Sequence, residues 1–362
     1  MVGKIKRSPR RLVRRYFSER YLLLTLLSFA VSVSLTRLFL EITGYPQLGG
    51  SELHFAHVFW GGLLWFAGSL FPLTFANHRA LDISAILTGI GSGLFIDEVG
   101  KFITQTNDYF YPAAAPIIYS FFLIILFIFS LGRKQRKLTP RERLYRALEQ
   151  FEEVLEGDLS EQERERIITE LSDFSDRENA SNLNRLAIAF RRILEDKRQQ
   201  LVIYQPDILD KVNAWWLGIK EKLFTKQKNP FWLFFIWLCL GLVSLAHPLV
   251  SLYAARSGFA LPGFWNELIR VRLEPFLGIG LVERLRLAGE AVIGLLLVFS
   301  AGAGSFGAKK LGATMAYISL LVLIALINLL VFFFDQFSAI FFTIIQFIVF
   351  FLTRQYRLAL NS

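Results

Sequence analysis

The stretch YLLLTLLSFAVSVSLTRLFL, from Tyr21 to Leu40, decides the fold class. A helix needs about 20 consecutive apolar residues to cross the hydrocarbon core of a bilayer. This run meets that length, and Arg37 is its one charged residue. A basic arm precedes it, from Lys4-Ile5-Lys6-Arg7 through Arg14-Arg15 to Arg20. A signal peptide also starts basic, but its apolar core is shorter and ends at a small-residue cleavage site. Here the run closes on Arg37, Glu41 and Tyr45-Pro46, with no Ala-x-Ala pattern. It reads as an uncleaved spanning helix, with residues 1–20 as a basic cytoplasmic arm.

Working outward, comparable apolar runs cover about 54–76, 81–103, 113–132, 231–254, 288–307, 311–334 and 337–353. Lys and Arg sit on the cytoplasmic side of membrane proteins, and the connectors of the first half alternate accordingly. Residues 42–53 and 104–112 contain no Lys or Arg, whereas His78-Arg79 and Arg133 to Lys137 bracket the other side. In the second half, Lys309-Lys310, Arg354 and Arg357 fall inside and Asp335 outside. The connector 255–287 breaks the pattern. It carries Arg256, Arg270, Arg272, Arg284 and Arg286, interleaved with Glu267, Glu274, Glu283 and Glu290. Such mixing suits an amphipathic helix lying in the interface.

The expected fold is therefore all-α: a polytopic integral membrane protein of about eight transmembrane helices with a cytoplasmic helical insert. Its parts are an N-terminal four-helix membrane module (21–132), the insert (133–229) and a C-terminal four-helix membrane module (230–362). The expected location is the bacterial cytoplasmic membrane, with both termini in the cytoplasm. In the insert, Leu144, Leu148, Phe151 and Val154-Leu155 recur at helical spacing, as do Leu183, Leu186, Phe190 and Ile193-Leu194. Ser160 and Glu163 form a capping-box pattern ahead of Ile167-Ile168 and Leu171. Pro206 opens a further helical pattern reaching Trp215-Trp216.

Composition excludes other classes. Of 362 residues, 54% are hydrophobic and 19% charged, against about 25% charged in an ordinary soluble chain. The single cysteine, Cys239, rules out an internal disulfide and a cysteine-based metal knuckle. The net charge of +10 sits beside apolar runs, and the insert nearly balances acid and base, so no nucleic-acid partner is expected. Lipid is the expected surrounding, and the insert offers a surface for a protein partner.

One constellation carries chemistry. His54 and His57, at i and i+3, share a helix face where the second run opens. The third run reaches Asp97-Glu98 and Lys101 at the same external level, the first brings Arg37 and Glu41 there, and Asp108-Tyr109 come next outside. Ionisable residues in membrane helices mark function by default. Gly61-Gly62, and Gly89 with Gly93 as a GxxxG pair, are expected to let the second and third helices approach closely.

His54-Phe-Ala-His57-Val-Phe-Trp-Gly, Gly89-Ile-Gly-Ser-Gly-Leu-Phe-Ile-Asp97-Glu98 and Asp108-Tyr109-Phe110 together resemble a widespread group of uncharacterised bacterial integral membrane proteins. That group pairs a histidine-cluster helix with a glycine-rich helix ending in Asp-Glu and an Asp-x-Tyr-Trp-like turn. The resemblance covers about residues 52–112 and implies a shared site, with no reaction attached. Ala56 stands where the group often has histidine, and Phe110 where it has tryptophan.

Two readings of the constellation stay open. In one, His54, His57 and Asp97 hold a divalent metal such as zinc, and Glu98 or Asp97 acts as general base on a lipid or lipid-linked substrate. In the other, Asp97 or Glu98 pairs with Lys101 or Arg37 in a buried polar lock, or relay, of a scaffold, sensor or transporter. Arg37 and Glu41, at i,i+4, are expected to neutralise each other. His247 precedes Pro248 and is placed as a cap on carbonyls freed by the proline, or as a further ligand. His78 reads as a plain turn residue. Ser300 to Ser305 reads as a helix-packing face, and helices five to eight as poor in polar groups, which argues against an ion pump.

Overall fold

A computed structural model describes residues 12–44, 57–132, 138–157, 159–172, 174, 182–196, 211, 218, 231–257 and 280–360. Every regular element among them is helical. In the first half these are α1 (Ser18–Thr43), α2 (His57–Thr74), α3 (His78–Asp97), α4 (Val99–Ile103) and α5 (Ala114–Gly132). The insert supplies α6 (Pro140–Gln150), α7 (Glu152–Glu156), α8 (Glu161–Leu171) and α9 (Asn182–Glu195). The second half has α10 (Phe231–Ser257), α11 (Leu281–Ser305), α12 (Lys309–Val322), a π-helical turn (Leu323–Ile327), α13 (Asn328–Asp335), a 3-10 turn (Gln336–Ala339) and α14 (Ile340–Ala359).

Six segments are long and apolar enough to cross a membrane: Ser18–Thr43, His78–Asp97, Ala114–Gly132, Phe231–Tyr253, Leu281–Ser305 and the 51-residue Lys309–Ala359. Length and composition thus mark an all-α membrane protein. The last segment reverses at Gln336, whose φ of 49° lies in the left-handed region. Beyond it α14 runs back along α12: Phe350 stacks on Tyr317 at 5.1 Å and the Arg357 guanidinium lies 4.0 Å over the Tyr317 ring. The 18 residues of α2 are not among the six; its glycines, His57 and Pro72 dilute its apolar content.

The chain divides into two compact units. The first comprises Met1–Leu35, Phe59–Leu94 and Ile125–Ile208. In it, glycines permit backbone contact, but not in the pairing expected from sequence. A Cβ on Gly89 or Gly93 would meet Thr25, Ser28, Phe29 or Ser32, so the GxxxG pair faces α1. Gly91, between them, faces α2, where a Cβ would lie 2.6 Å from the Gly61 carbonyl oxygen. Residues four apart share one helix face, so the residue between them serves another neighbour. Gly62 has open space around it and takes no part in packing.

The insert in this unit buries Leu144, Ala147, Leu159, Ile167, Leu171, Phe174, Ala187 and Leu194 together. Capping boxes open α6 at Thr139/Glu142 and α8 at Ser160/Glu163. Leu148, Leu155, Leu183, Leu186 and Ile193, expected on the apolar faces, are exposed. Small Ala147 and Ala187 occupy the close contacts in their place. The pattern from Pro206 to Trp216 lies outside the described residues. Acidic side chains of α6 and α7 hold the starts of two apolar helices. Glu149 accepts from the Tyr16 backbone N–H and Glu152 from that of His78, both at 2.6 Å. Carboxylates are favoured at helix N-termini, where free N–H groups point outward.

The second unit comprises Thr36–Val58, Phe95–Ile124 and Leu209–Ser362. Its core gathers Leu233, Phe234, Trp237, Ile293, Leu297, Ala313, Ala316, Leu320, Val349 and Tyr356. α10 and α11 meet at Gly241 and Gly294, and α11 and α12 at Gly304 and Gly312. Ser300 to Ser305 is thus a packing face, as its composition suggests. The poverty of polar groups expected in this half is corrected. Asn328, 1% exposed, donates to Gln346 Oε1 at 2.7 Å, and the Tyr119 hydroxyl donates to the Ile324 carbonyl in the π turn at 2.8 Å. A π turn leaves a carbonyl without its usual i→i+4 partner, and Tyr119 supplies one.

Candidate functional site

The expected constellation lies in the second unit and assembles around Asp97. α3 ends there, and Asp97 and Glu98 are 0% and 1% exposed. Burial of two adjacent carboxylates is costly unless each is paired, and the surrounding cations supply the pairs. Arg37, near the end of α1, donates through Nε to Asp97 Oδ1 at 2.5 Å and through a terminal nitrogen to the Asp97 carbonyl at 2.9 Å. Its guanidinium lies between two rings, 4.0 Å from the centroid of Tyr109 and 3.9 Å from that of Phe337. Stacking of this kind suits the planar, weakly hydrated guanidinium.

His57, the first residue of α2, reaches both carboxylates. Nε2 donates to Asp97 Oδ2 at 3.0 Å. Nδ1 stands 2.9 Å from Glu98 Oε1, off the line of a hydrogen bond, so this buried oxygen has an ion-pair neighbour without an aligned donor. Lys101 pairs with Glu98 Oε2 at 3.4 Å. Tyr109 donates its hydroxyl to Asp97 Oδ2 at 2.6 Å. Burial, then the Asp97 charge, pushes the phenol far above its ordinary pKa, so it remains a donor.

The turn before α5 presents Tyr109. Asn107 takes φ 53°, a conformation that asparagine tolerates. The Asp108 carboxylate accepts from the Phe110 backbone N–H at 2.9 Å, closing an Asx-type turn. Gly100 lets this turn lie on α4, since a Cβ there would be 2.7 Å from the Asp108 carbonyl oxygen.

Of the residues picked from sequence, Arg37, His57, Asp97, Glu98, Lys101 and Tyr109 come together. His54 lies outside the described residues. Two members do not join. Asp108 shapes the turn, and Glu41 is exposed at the end of α1, so the expected Arg37–Glu41 pair gives way to Arg37–Asp97. The reason is desolvation: a fully buried carboxylate gains more from the guanidinium than an exposed one does.

A second buried charged group lies outside the expected constellation. Arg286 donates through Nε to Glu290 at 2.9 Å and through both terminal nitrogens to Asp335 at 3.1 and 2.6 Å. His247 Nδ1 donates to Glu290 at 2.7 Å, so His247 neither caps carbonyls nor joins Asp97. The expected interfacial connector therefore ends earlier than 287, since α11 begins at Leu281 and carries Arg284 and Arg286 as helix residues. The remainder, 258–279, lies outside the described residues. Arg286 and Glu290, at i,i+4 beside an apolar run, are the signal in the sequence. Phe337 and Gln336 join the two groups through one turn. Phe337 covers Arg37, and Gln336 donates to the Phe110 carbonyl at 3.0 Å, directly after Asp335.

In the first unit, His78 opens α3 and meets Glu152 and Glu156, with one donor atom from each within 4.8 Å of the others.

Comparison with protein families, with curated proteins and with solved structures gives no match for this chain.

Proposed function

We propose that this is a multi-pass bacterial inner-membrane protein of eight crossings, whose Arg37/His57/Asp97/Glu98/Lys101/Tyr109 group is a closed ion-pair lock at the external face. Six apolar segments, the reversal of the last at Gln336 and the addition of α2 support that count. The distribution of Lys and Arg supports cytoplasmic termini and a cytoplasmic insert. In this reading the protein is a membrane scaffold or sensor, and its insert is the surface that meets a protein partner.

One observation carries the choice of a lock over a metal centre. His57 meets Asp97 with Nε2 and Glu98 with Nδ1, on opposite sides of the ring, so no single ring nitrogen faces both carboxylates. Metal ligation requires one neutral imidazole nitrogen facing the ion. Elemental analysis of full-length protein purified without chelators, beside His57→Ala and Asp97→Asn, tests this. A lock predicts that both variants lose thermal stability and that any metal content is unaffected by them. Zinc that disappears in both variants would overturn the lock and favour a zinc-type hydrolase or transferase acting on a lipid-like substrate.

A further inference from the structure

We propose that His78, Glu152 and Glu156 form a divalent-cation site of the zinc type, which staples the start of α3 to the insert. The three side chains come from two separate elements. Phe151 is itself in the right-handed helical region, so α6 runs almost directly into α7. Glu152 and Glu156, at i,i+4, therefore share one face, and His78 stands opposite them. One donor atom from each lies within 4.8 Å of the other two, and His78 Nδ1 is 3.3 Å from Glu152 Oε1. Ligands about 2.0–2.2 Å from a tetrahedral ion lie ~3.3–3.6 Å apart, so the His78–Glu152 pair already has that spacing.

The electrostatics point the same way. Glu149, one turn earlier, is answered by Arg15 at 3.1 Å. Among the described residues, Glu152 has no ion-pair partner but His78, and Glu156 has only the Asn77 side-chain amide at 3.3 Å. Among the described residues neither carboxylate pairs with a Lys or Arg, and a divalent ion would neutralise their charge. The frame is also fixed in advance. The His78 backbone N–H holds Glu152 Oε1 at 2.6 Å, which keeps this carboxylate beside the imidazole. One nitrogen and two carboxylate oxygens, with the side chains half-buried or exposed, suit zinc and its neighbours in the transition series, with water completing the shell.

The probe is zinc chloride, titrated against a chromophoric chelator into the stripped full-length chain in detergent micelles. The expected result is one zinc per chain, with affinity lowered at least ~10-fold in His78→Ala and in Glu156→Gln and unchanged in His57→Ala. Glu156 is exposed, and glutamine keeps its shape, so this variant decides the matter if His78→Ala fails to fold. Absence of zinc binding, or wild-type affinity in Glu156→Gln, overturns the proposal. Zinc that depends on His57 and ignores Glu156 overturns it too, and would belong to the external group instead.

Discussion

Asp97→Asn removes the centre of the external lock while nearly preserving its shape. The carboxylate is fully buried and accepts from Arg37 Nε, His57 Nε2 and Tyr109 Oη. An amide has one acceptor oxygen and a nitrogen that only donates. Whichever way it turns, its NH2 meets either the guanidinium or the His57–Tyr109 pair. Arg37, itself 6% exposed, would keep the Asp97 backbone carbonyl and the two rings but no counter-charge. Removing one member of a buried ion pair costs about 3–5 kcal/mol. Three hydrogen bonds to charged groups, at ~1.5–3 kcal/mol each, would add to more. They share one carboxylate, however, and neighbouring effects do not add, so the lower range applies. At ~1.4 kcal/mol per factor of ten, even 3 kcal/mol makes the unfolding equilibrium roughly 100-fold less favourable to the native state. Denaturant unfolding of the full chain in mixed micelles, monitored by tryptophan fluorescence, reads this directly. Arg37→Met completes a double-mutant cycle. The double variant should cost at least ~1.5 kcal/mol less than the sum of the singles, because neither charge is then left alone. A loss below ~1 kcal/mol for Asp97→Asn, or simple additivity, would refute the reasoning.

Gly100→Val should displace the turn that carries Tyr109, because its Cβ would fall 2.7 Å from the Asp108 carbonyl oxygen. The expected cost is ~1–3 kcal/mol, while Gly62→Ala, with open space around it, should stay within ~0.5 kcal/mol in the same assay. For topology, Thr106→Cys in a Cys239→Ser background should react with a membrane-impermeant maleimide added outside intact cells. Labelling only after the inner side is exposed would reject the proposed orientation.

Much of the architecture is legible in the sequence because it depends on local composition. Runs of apolar residues announce themselves, and the capping pattern at Ser160 involves residues three apart. The same pattern at Thr139 is equally readable. Pairing across helices is not legible. Arg37 has Glu41 one turn away in sequence and Asp97 sixty positions away, and only the ending of α3 in a buried position decides between them. Gly89 and Gly93 announce a close approach without naming the partner, which is α1. Arg286 suits an interfacial connector on sequence grounds because a lone arginine is expensive in a spanning helix. Asp335, forty-nine residues on, removes that objection, and no local pattern connects the two.

The π-helical turn at Leu323–Ile327 sets the direction in which the side chains of α13 point. Such a turn amounts to one residue inserted into an α-helix, and each residue of an α-helix advances the azimuth by about 100°. Everything from Asn328 to Asp335 is therefore rotated by that angle from where an unbroken α12 would have carried it. Two partnerships depend on the rotation: Asn328 with Gln346 inside the core, and Asp335 with Arg286 at the end of the helix. Deleting a single residue from Leu323–Ile327 would restore a regular α-helix and keep both bearings, whereas winding the turn as α-helix with every residue retained would swing both side chains away together. The irregular turn thus works as a phase adjuster, absorbing one extra residue so that two distant contacts keep their bearing.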